Sequence, residues 1–332
     1  MNIPRPFMEF VARASCPCTV PPSAECTGKM PVPRCRPKNR KTPFFIFSCC
    51  VVVLLLGGTA RAAGRRPPEL KIEADPATVM TGRTLLVRFK APARLRTPRL
   101  SIGGRSADFY SVSTGTWRAL WGISLKETPG PKEARVEALW GKKIVVSTFS
   151  FSVEIGTYPV SRVTLTHAQR DLFASGQVAL DTRVLTDVCQ RPPIGKKLWS
   201  GLFVLPTTGT FTSVFGSRRA YGNGPVGGGH SGTDIANPAG TPIFAPARGR
   251  VAFSRLLESF GNVVVVEHGQ GVFTYYLHME KALAKEGDML ATGDPVGLMG
   301  SLGISTGPHL HWSMVVSGER VDAMEWTERV FE

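Results

Sequence analysis

The chain has 332 residues, 42% hydrophobic and 20% charged, with 40 Lys/Arg against 25 Asp/Glu and a formal charge of +15. The length suggests about two domains plus extras, and the apolar content is ordinary for a globular protein. Residues 1–62 hold nine Lys/Arg and two Asp/Glu, residues 63–332 hold 31 and 23, so nearly half the excess lies at the start. The remaining mild basicity fits an anionic surface, a cell-wall polymer or lipid headgroups. With no basic helix and no stacking-aromatic motif, the chain does not read as a nucleic-acid binder.

Residues 1–63 form a basic leader. Its thirteen-residue apolar run at 44–56 (FFIFSCCVVVLLL) follows a basic stretch at 34–41 and precedes an Ala-Arg-Ala pattern at 60–62. Basic flank, short apolar core and small-residue end predict a secretory signal. The run is short for a spanning helix, which needs about 20 residues; an uncleaved N-terminal anchor is the alternative, and it would be the chain's only membrane contact. Met30 would give a more usual signal length and is the expected alternative start. Six of the seven cysteines, Cys16, Cys18, Cys26, Cys35, Cys49 and Cys50, lie in this leader. Their spacing matches no zinc pattern, and the apolar run continues past Cys49 where a lipidated cysteine should end it. Cys189 would then be alone in the mature protein, which therefore needs no disulfide framework. The expected location is the periplasm or cell envelope.

From 67 to 163 short apolar runs alternate with turn residues: TLLVRF (84–89), RLSIGG (99–104), ARVEALW (134–140) and KIVVSTFSFSVEI (143–155). In the last, Phe149, Phe151 and Val153 share one face. Such spacing predicts a small antiparallel, Ig-like β-sandwich. It carries no ionisable cluster, so its expected role is that of spacer or docking module, with a cell-wall protein as the partner it could take. Residues 164–200 are a connector with two predicted short helices, 166–174 and 180–189, the second opening near the capping residue Asp181. His167 there reads as a surface or capping histidine. Residues 201–332 return to a Gly-rich β pattern, with strand candidates GRVAFSRL, NVVVVEHG, GVFTYYLHM, DPVGLMG and HLHWSMVV and no convincing amphipathic helix. The expected fold is mainly β throughout.

Five of the six histidines fall between 230 and 311, in HSGTD (His230 to Asp234), EHG (His268), YYLHM (His278) and GPHLHW (His309, His311). Imidazoles with an aspartate among them are the composition of a metal site. His309 and His311 are i and i+2 on a predicted strand and face one side, about 6.6 Å apart along it. Two histidines so placed can serve one metal, one as ligand and one just outside. His230 and Asp234 would be about 13 Å apart on an extended strand, so the intervening SGT must bend; Gly232 supplies that freedom, and Gly227 to Gly229 allow close backbone approach. His278 ends an aromatic strand. His268 reads as a turn histidine and a bystander, and Asp288, Asp294 and Asp322 as turn carboxylates.

HSGTD, YYLH and GPHLH in this order, with FGSRR (215–219) upstream, resemble the lysostaphin-type (LytM-like) zinc metallopeptidases. The resemblance covers residues 202–325; the β-rich segment before it looks like the N-terminal domain of some periplasmic members. The resemblance implies one zinc per chain bound by His230, Asp234 and His311, with a fourth position left for water as in catalytic sites. It maps the family's two non-ligand histidines to His278 and His309, which would handle the proton of that water and stabilise the oxyanion. It implies an endopeptidase acting on peptide cross-links of peptidoglycan. The alternative is a non-catalytic family member that activates cell-wall amidases, which the complete set of five residues argues against. The chain departs from the family pattern at SLGIS (301–305), before Thr306. The connector at 160–200 and the loop at 221–229 are the segments placed to cover such a site.

Overall fold

The structure is a computed structural model and describes residues 67–332. The leader, its apolar run, Met30 and the six leader cysteines lie outside the described residues. Among the described residues no helix is long and apolar enough to cross a membrane.

The first region holds β1 (Ile72–Asp75), β2 (Thr78–Met80), β3 (Thr84–Lys90), β4 (Leu95–Ile102), β5 (Arg105–Asp108), β6 (Tyr110–Ser113), β7 (Thr116–Gly122), β8 (Gly130–Trp140) and β9 (Lys143–Glu154). They form two sheets, ordered β1-β3-β7-β6 and β2-β9-β8-β4-β5. Period-two alternation decides which side chains go in. Leu85, Val87 and Phe89 of one sheet meet Leu100, Val136, Phe151 and Val153 of the other in one buried cluster, with Phe149 half-buried beside it.

Next come β10 (Val160–Val163), α1 (His167–Ala174) and α2 (Gln177–Gln190). The strand at 160–163 leaves the two-sheet region and pairs in parallel with a strand far along the chain, Val160 opposite Arg218 and Val163 opposite Tyr221. The region expected to end at 163 therefore gives its last strand away. The first helix is capped by Thr166 with a reciprocal capping box from Gln169, and His167 sits exposed at its first turn. The second helix begins four residues before Asp181. That carboxylate is no cap to its own helix: it is buried and accepts from the backbone N–H of Ser259 at 2.8 Å.

The last region holds β11 (Thr210–Ser213), β12 (Arg218–Tyr221), β13 (Val226–Gly229), β14 (Thr233–Ala236), β15 (Pro242–Phe244), β16 (Gly249–Leu257), β17 (Gly261–Gly269), β18 (Val272–Met279), β19 (Lys281–Ala282), β20 (Met289–Leu290), β21 (Pro295–Leu298), β22 (His309–Val316), β23 (Glu319–Val321) and the one-turn α3 (Glu325–Glu328). An eight-stranded sheet runs β11-β14-β22-β18-β17-β16-β20, with β23 beside β22. Along β22 the odd and even residues part company. Leu310, Trp312, Met314 and Val316 enter one core with Trp326 and Phe331. The opposite face is shared: Val315 lies under α2 with Phe273, Tyr275 and Leu277, and His309 and His311 lie beyond the helix.

The two regions share a core. Leu86 and Leu120 of the first pack in the same cluster as Trp312 and Trp326 of the last. Arg118, 1% exposed, reaches across to donate to the Phe331 carbonyl at 2.9 Å and to Gln270. Glu325 accepts from the Thr84 N–H at 2.9 Å. His268 on β17 departs from expectation: it is a core histidine, not a turn one. It is 0% exposed, packs edge-on to Phe203, and has both ring nitrogens engaged, by the Arg248 carbonyl and the Thr274 hydroxyl. Burial pushes its pKa down to about 4. It remains a bystander, remote in role from the other four.

Candidate metal centre

Strand register brings the site together. Asp234 of β14 lies opposite His311 of β22, and Ala236 opposite His309, so all four face one side. The chain bends between His230 and β14. Gly232 matters there, though not through a left-handed backbone: a Cβ on it would come within 2.5 Å of the Ser313 hydroxyl and 2.7 Å of the His311 ring. The missing side chain lets HSGTD fold down onto β22. Gly229 likewise lies where a Cβ would strike Leu125. His278 would point to the other face by strict alternation, since Leu277 is the partner of His311. Its φ of +64°, costly for a non-glycine residue, breaks the alternation at the strand's end and turns the ring toward His309, centroids 4.9 Å apart.

The three atoms His230 Nε2, His311 Nδ1 and Asp234 Oδ1 lie 2.9, 3.1 and 2.8 Å from one another. Donors about 2.0–2.1 Å from one tetrahedral ion lie about 3.3 Å apart, close to what is seen. The outward atoms are occupied. His230 Nδ1 donates to the Val214 carbonyl at 3.3 Å and faces the Ser213 hydroxyl at 3.1 Å. His311 Nε2 meets the Ser313 hydroxyl at 2.8 Å. A carbonyl only accepts, so His230 carries its hydrogen on Nδ1 and leaves Nε2 a lone pair. Arg219 donates to the other Asp234 oxygen at 2.6 Å and to Ser213 at 3.2 Å, which leaves Oδ1 as the free ligand atom. Among the described residues this is the one His/Cys/Asp/Glu group arranged to hold a metal ion.

The electrostatics agree with that reading. Burial alone would raise the Asp234 carboxyl, but hydrogen bonds and charge from His230 and His311 overcome it and hold the group far below the usual carboxylate range. Burial drives His311 down to about 3, against the pull of Asp234. Burial, then the neighbouring His309, takes His278 down to about 4. The centre thus favours a neutral imidazole and an ionised carboxylate, the states that bind metal.

His278 and His309 stand just outside. His278 Nδ1 donates to the Leu302 carbonyl at 2.8 Å and His309 Nδ1 to the Gly307 carbonyl at 2.8 Å. Each neutral ring then offers Nε2 as an acceptor; that of His309 is 3.8 Å from Asp234 Oδ1. Leu302 belongs to the SLGIS segment that departs from the family pattern. What it supplies is a backbone carbonyl, which any residue there carries.

A cavity of about 200 Å³ is lined by Asp234, His278, His309 and His311. One wall is the connector: Ser161, Arg162 and Leu165 line it, and Gln169 at the start of α1 donates to the Ser305 carbonyl at 2.6 Å. The loop at 221–229 also reaches this edge, Tyr221 packing against Phe173. Ser161 Oγ and Arg219 Nε are buried behind this wall without hydrogen-bond partners. Sequence reading assigned no role to Arg219, Ser213, Ser313 or Ser161. Ser161, Ser213 and Arg219 lie on other strands from the metal ligands, while Ser313 lies two residues past His311 on the same strand, a spacing that could have hinted at a partner.

Residues 228–323 match the model of peptidase family M23. That segment belongs to peptidase family M23. It spans all five predicted residues of the centre. Over 96 residues the chain is 44% identical to peptidoglycan DD-endopeptidase ShyA of Vibrio cholerae serotype O1, covering 29% of this chain and 22% of the relative. Over 93 residues it is 40% identical to DD-carboxypeptidase/endopeptidase Mpg of Neisseria meningitidis serogroup B, covering 28% and 21%. The chain thus spans under a quarter of the length of either relative. An M23 peptidase structure from Pseudomonas aeruginosa aligns with a TM-score of 0.53 at 25% identity, over 75% of this chain and 94% of that one. The likeness therefore extends beyond the M23 segment into the β-rich region that precedes it.

Proposed function

We propose that the protein is an exported zinc metalloendopeptidase that hydrolyses peptide cross-links of bacterial peptidoglycan. The observation that carries this is the convergence of His230 Nε2, Asp234 Oδ1 and His311 Nδ1 within 3.1 Å of one another, with outward nitrogens already engaged. Two imidazoles and one carboxylate are the borderline donor set that suits zinc, and three protein ligands leave a position open. The names of the relatives supply the substrate class. Export rests on the basic leader and its apolar run, and the periplasm or cell envelope is the proposed location. The two-sheet region, of the Ig-like type in this reading, serves as a docking module.

A zinc ion held there would lower the pKa of a water molecule and polarise the scissile carbonyl. The chain's own residues do the rest. His278 and His309 each present Nε2, so one accepts the proton released by the attacking water and, as the imidazolium so formed, returns it to the departing amine nitrogen, while the other orients that water as an acceptor. The Leu302 and Gly307 carbonyls fix both tautomers and both ring planes. Arg219 keeps the second oxygen of Asp234 occupied.

The test is metal content of the purified chain by mass spectrometry, together with muropeptide products for wild type and His309→Ala. The expected result is one zinc per chain in both and new peptide ends with wild type alone. A wild-type protein that holds zinc and releases no peptide ends would sink the enzyme reading and leave the amidase-activator one.

A further inference from the structure

Alternation along β12 separates two neighbouring arginines. Arg219 turns to Asp234, while Arg218 turns to the opposite face of the small β10-β12-β13 sheet. There it lines a second cleft, about 800 Å³, between the two-sheet region and the M23 domain. Three cations line this cleft: Lys126, Arg218 and Arg320. Lys126 and Arg218 are exposed, and neither side chain has an ion pair or hydrogen bond among the described residues. The Arg320 guanidinium lies over the Tyr275 ring at 4.7 Å, with Nη1 buried and unpartnered. The one carboxylate in the lining, Glu319, is already taken by Arg105 at 3.1 Å. The lining thus carries an uncompensated positive charge in a concave, partly desolvated place.

Its other surfaces suit an extended chain. One side is β13, the outer strand of its sheet, where Gly227 to Gly229 put bare backbone at the wall; an outer strand can accept a peptide by main-chain pairing. The floor is apolar, with Leu125 and Ile155, the latter 68% exposed. Arg118 and Glu325 tie the two regions together at their shared junction, which fixes the walls of the cleft relative to one another.

We propose that this cleft is a second, non-catalytic binding site for a carboxylate-bearing peptide, namely the stem peptide of a peptidoglycan strand other than the one being cut. The occupant's identity rests on the wall-peptidase reading; the anionic, extended character of the ligand rests on the cleft alone. Lys126 and Arg218 take carboxylates, β13 takes the backbone, and Ile155 covers apolar side chains. Gly229 and Ser231 of its wall flank His230, but none of His230, Asp234, His278, His309 or His311 lines it, so binding there holds the enzyme on its polymer without occupying the centre.

The experiment is co-sedimentation of the full chain with purified, phosphate-free sacculi at physiological salt, comparing wild type with the double variant Lys126→Gln/Arg218→Gln. Sacculus binding is expected to weaken about tenfold, two charge contacts' worth, while a small soluble cross-linked muropeptide is cut at the wild-type rate. Sacculi whose carboxylates are blocked as neutral amides should lose wild-type binding to the same degree. Unchanged binding by the double variant would overturn the site, and unchanged binding to amidated sacculi would overturn the carboxylate assignment. A wild type that binds sacculi but cuts nothing would instead fail the peptidase reading and leave the binding comparison intact.

Discussion

At the junction of the two regions, Arg118, Glu325 and Thr84 are buried, and their contacts pair opposite kinds: the two terminal nitrogens of Arg118 to carbonyl and amide oxygen, the Glu325 carboxylate to the Thr84 N–H, with Arg118 Nε alone left without a partner. At the metal centre, His230, Asp234 and His311 are as deeply buried, yet three lone-pair atoms point at one another. The hydrogens that could have separated them are directed outward, to Val214 and Ser313. Buried polarity is therefore common to both places and distinguishes neither. What marks the centre is acceptors crowded on one point, a pattern that is unfavourable without a cation and that the junction avoids.

The contrast can be broken first at Asp234. Asp234→Ala should abolish stoichiometric metal binding and lower peptide hydrolysis at least about 10³-fold, as several kcal/mol of transition-state stabilisation goes. Metal retained at full stoichiometry would place the ligands elsewhere. His278→Ala and His309→Ala should each keep the metal and lose on the order of 10²-fold in kcat, the share of a positioned proton carrier; metal analysis beside steady-state kinetics separates the two behaviours.

Arg219→Gln touches the centre through Asp234 and, by way of Ser213, through His230. Competition with a chelator should show metal affinity lowered about tenfold or more, with hydrolysis recovering at saturating metal. At the junction, Arg118→Met leaves the Phe331 carbonyl and Gln270 without their donor. Denaturant unfolding should show a loss of about 1–3 kcal/mol, with metal affinity unchanged; a change in affinity would mean the two regions are coupled.

The smallest effect concerns His268, a buried histidine that belongs to the junction's kind. Its folded pKa is about 4, below the ordinary histidine value near 6.5. The unfolded chain therefore takes up a proton that the fold refuses. Stability is fully present above pH 6.5 and falls as pH drops toward 4, on the order of 1–2 kcal/mol by pH 5. His268→Gln should flatten that part of the pH–stability profile measured by thermal unfolding.

Much of this was legible in the residues. The long strands announce themselves in two ways: 130–140, 143–154 and 249–257 by alternation, because a half-buried strand repeats every two residues, and 84–90, 261–269, 272–279 and 309–316 by near-continuous runs, because they are buried on both faces. The short strands at 210–229 do not, since four residues rich in glycine carry no period. His309 and His311 could be placed on one face from spacing alone. The bend between His230 and Asp234 followed from chain length, though the reason for Gly232 did not: it is contact with Ser313 and His311, residues about 80 positions away. Asp181 looked like a cap because caps are local, and its true partner, the Ser259 N–H, is not.

The sequence by itself determined the chemistry available to this protein: which side chains can bind a metal, in what order, and on which strands. Spacing along one chain is enough for that, because ligand type and strand periodicity are local properties. Only the tertiary structure decided the rest. It sent β10 to β12 and so made the connector a wall of the site, turned His278 by a left-handed backbone, and set Arg218 and Arg219 on opposite faces to serve two different places. Those outcomes depend on which distant strands pair, and pairing is settled by the packing of whole faces rather than by any one segment.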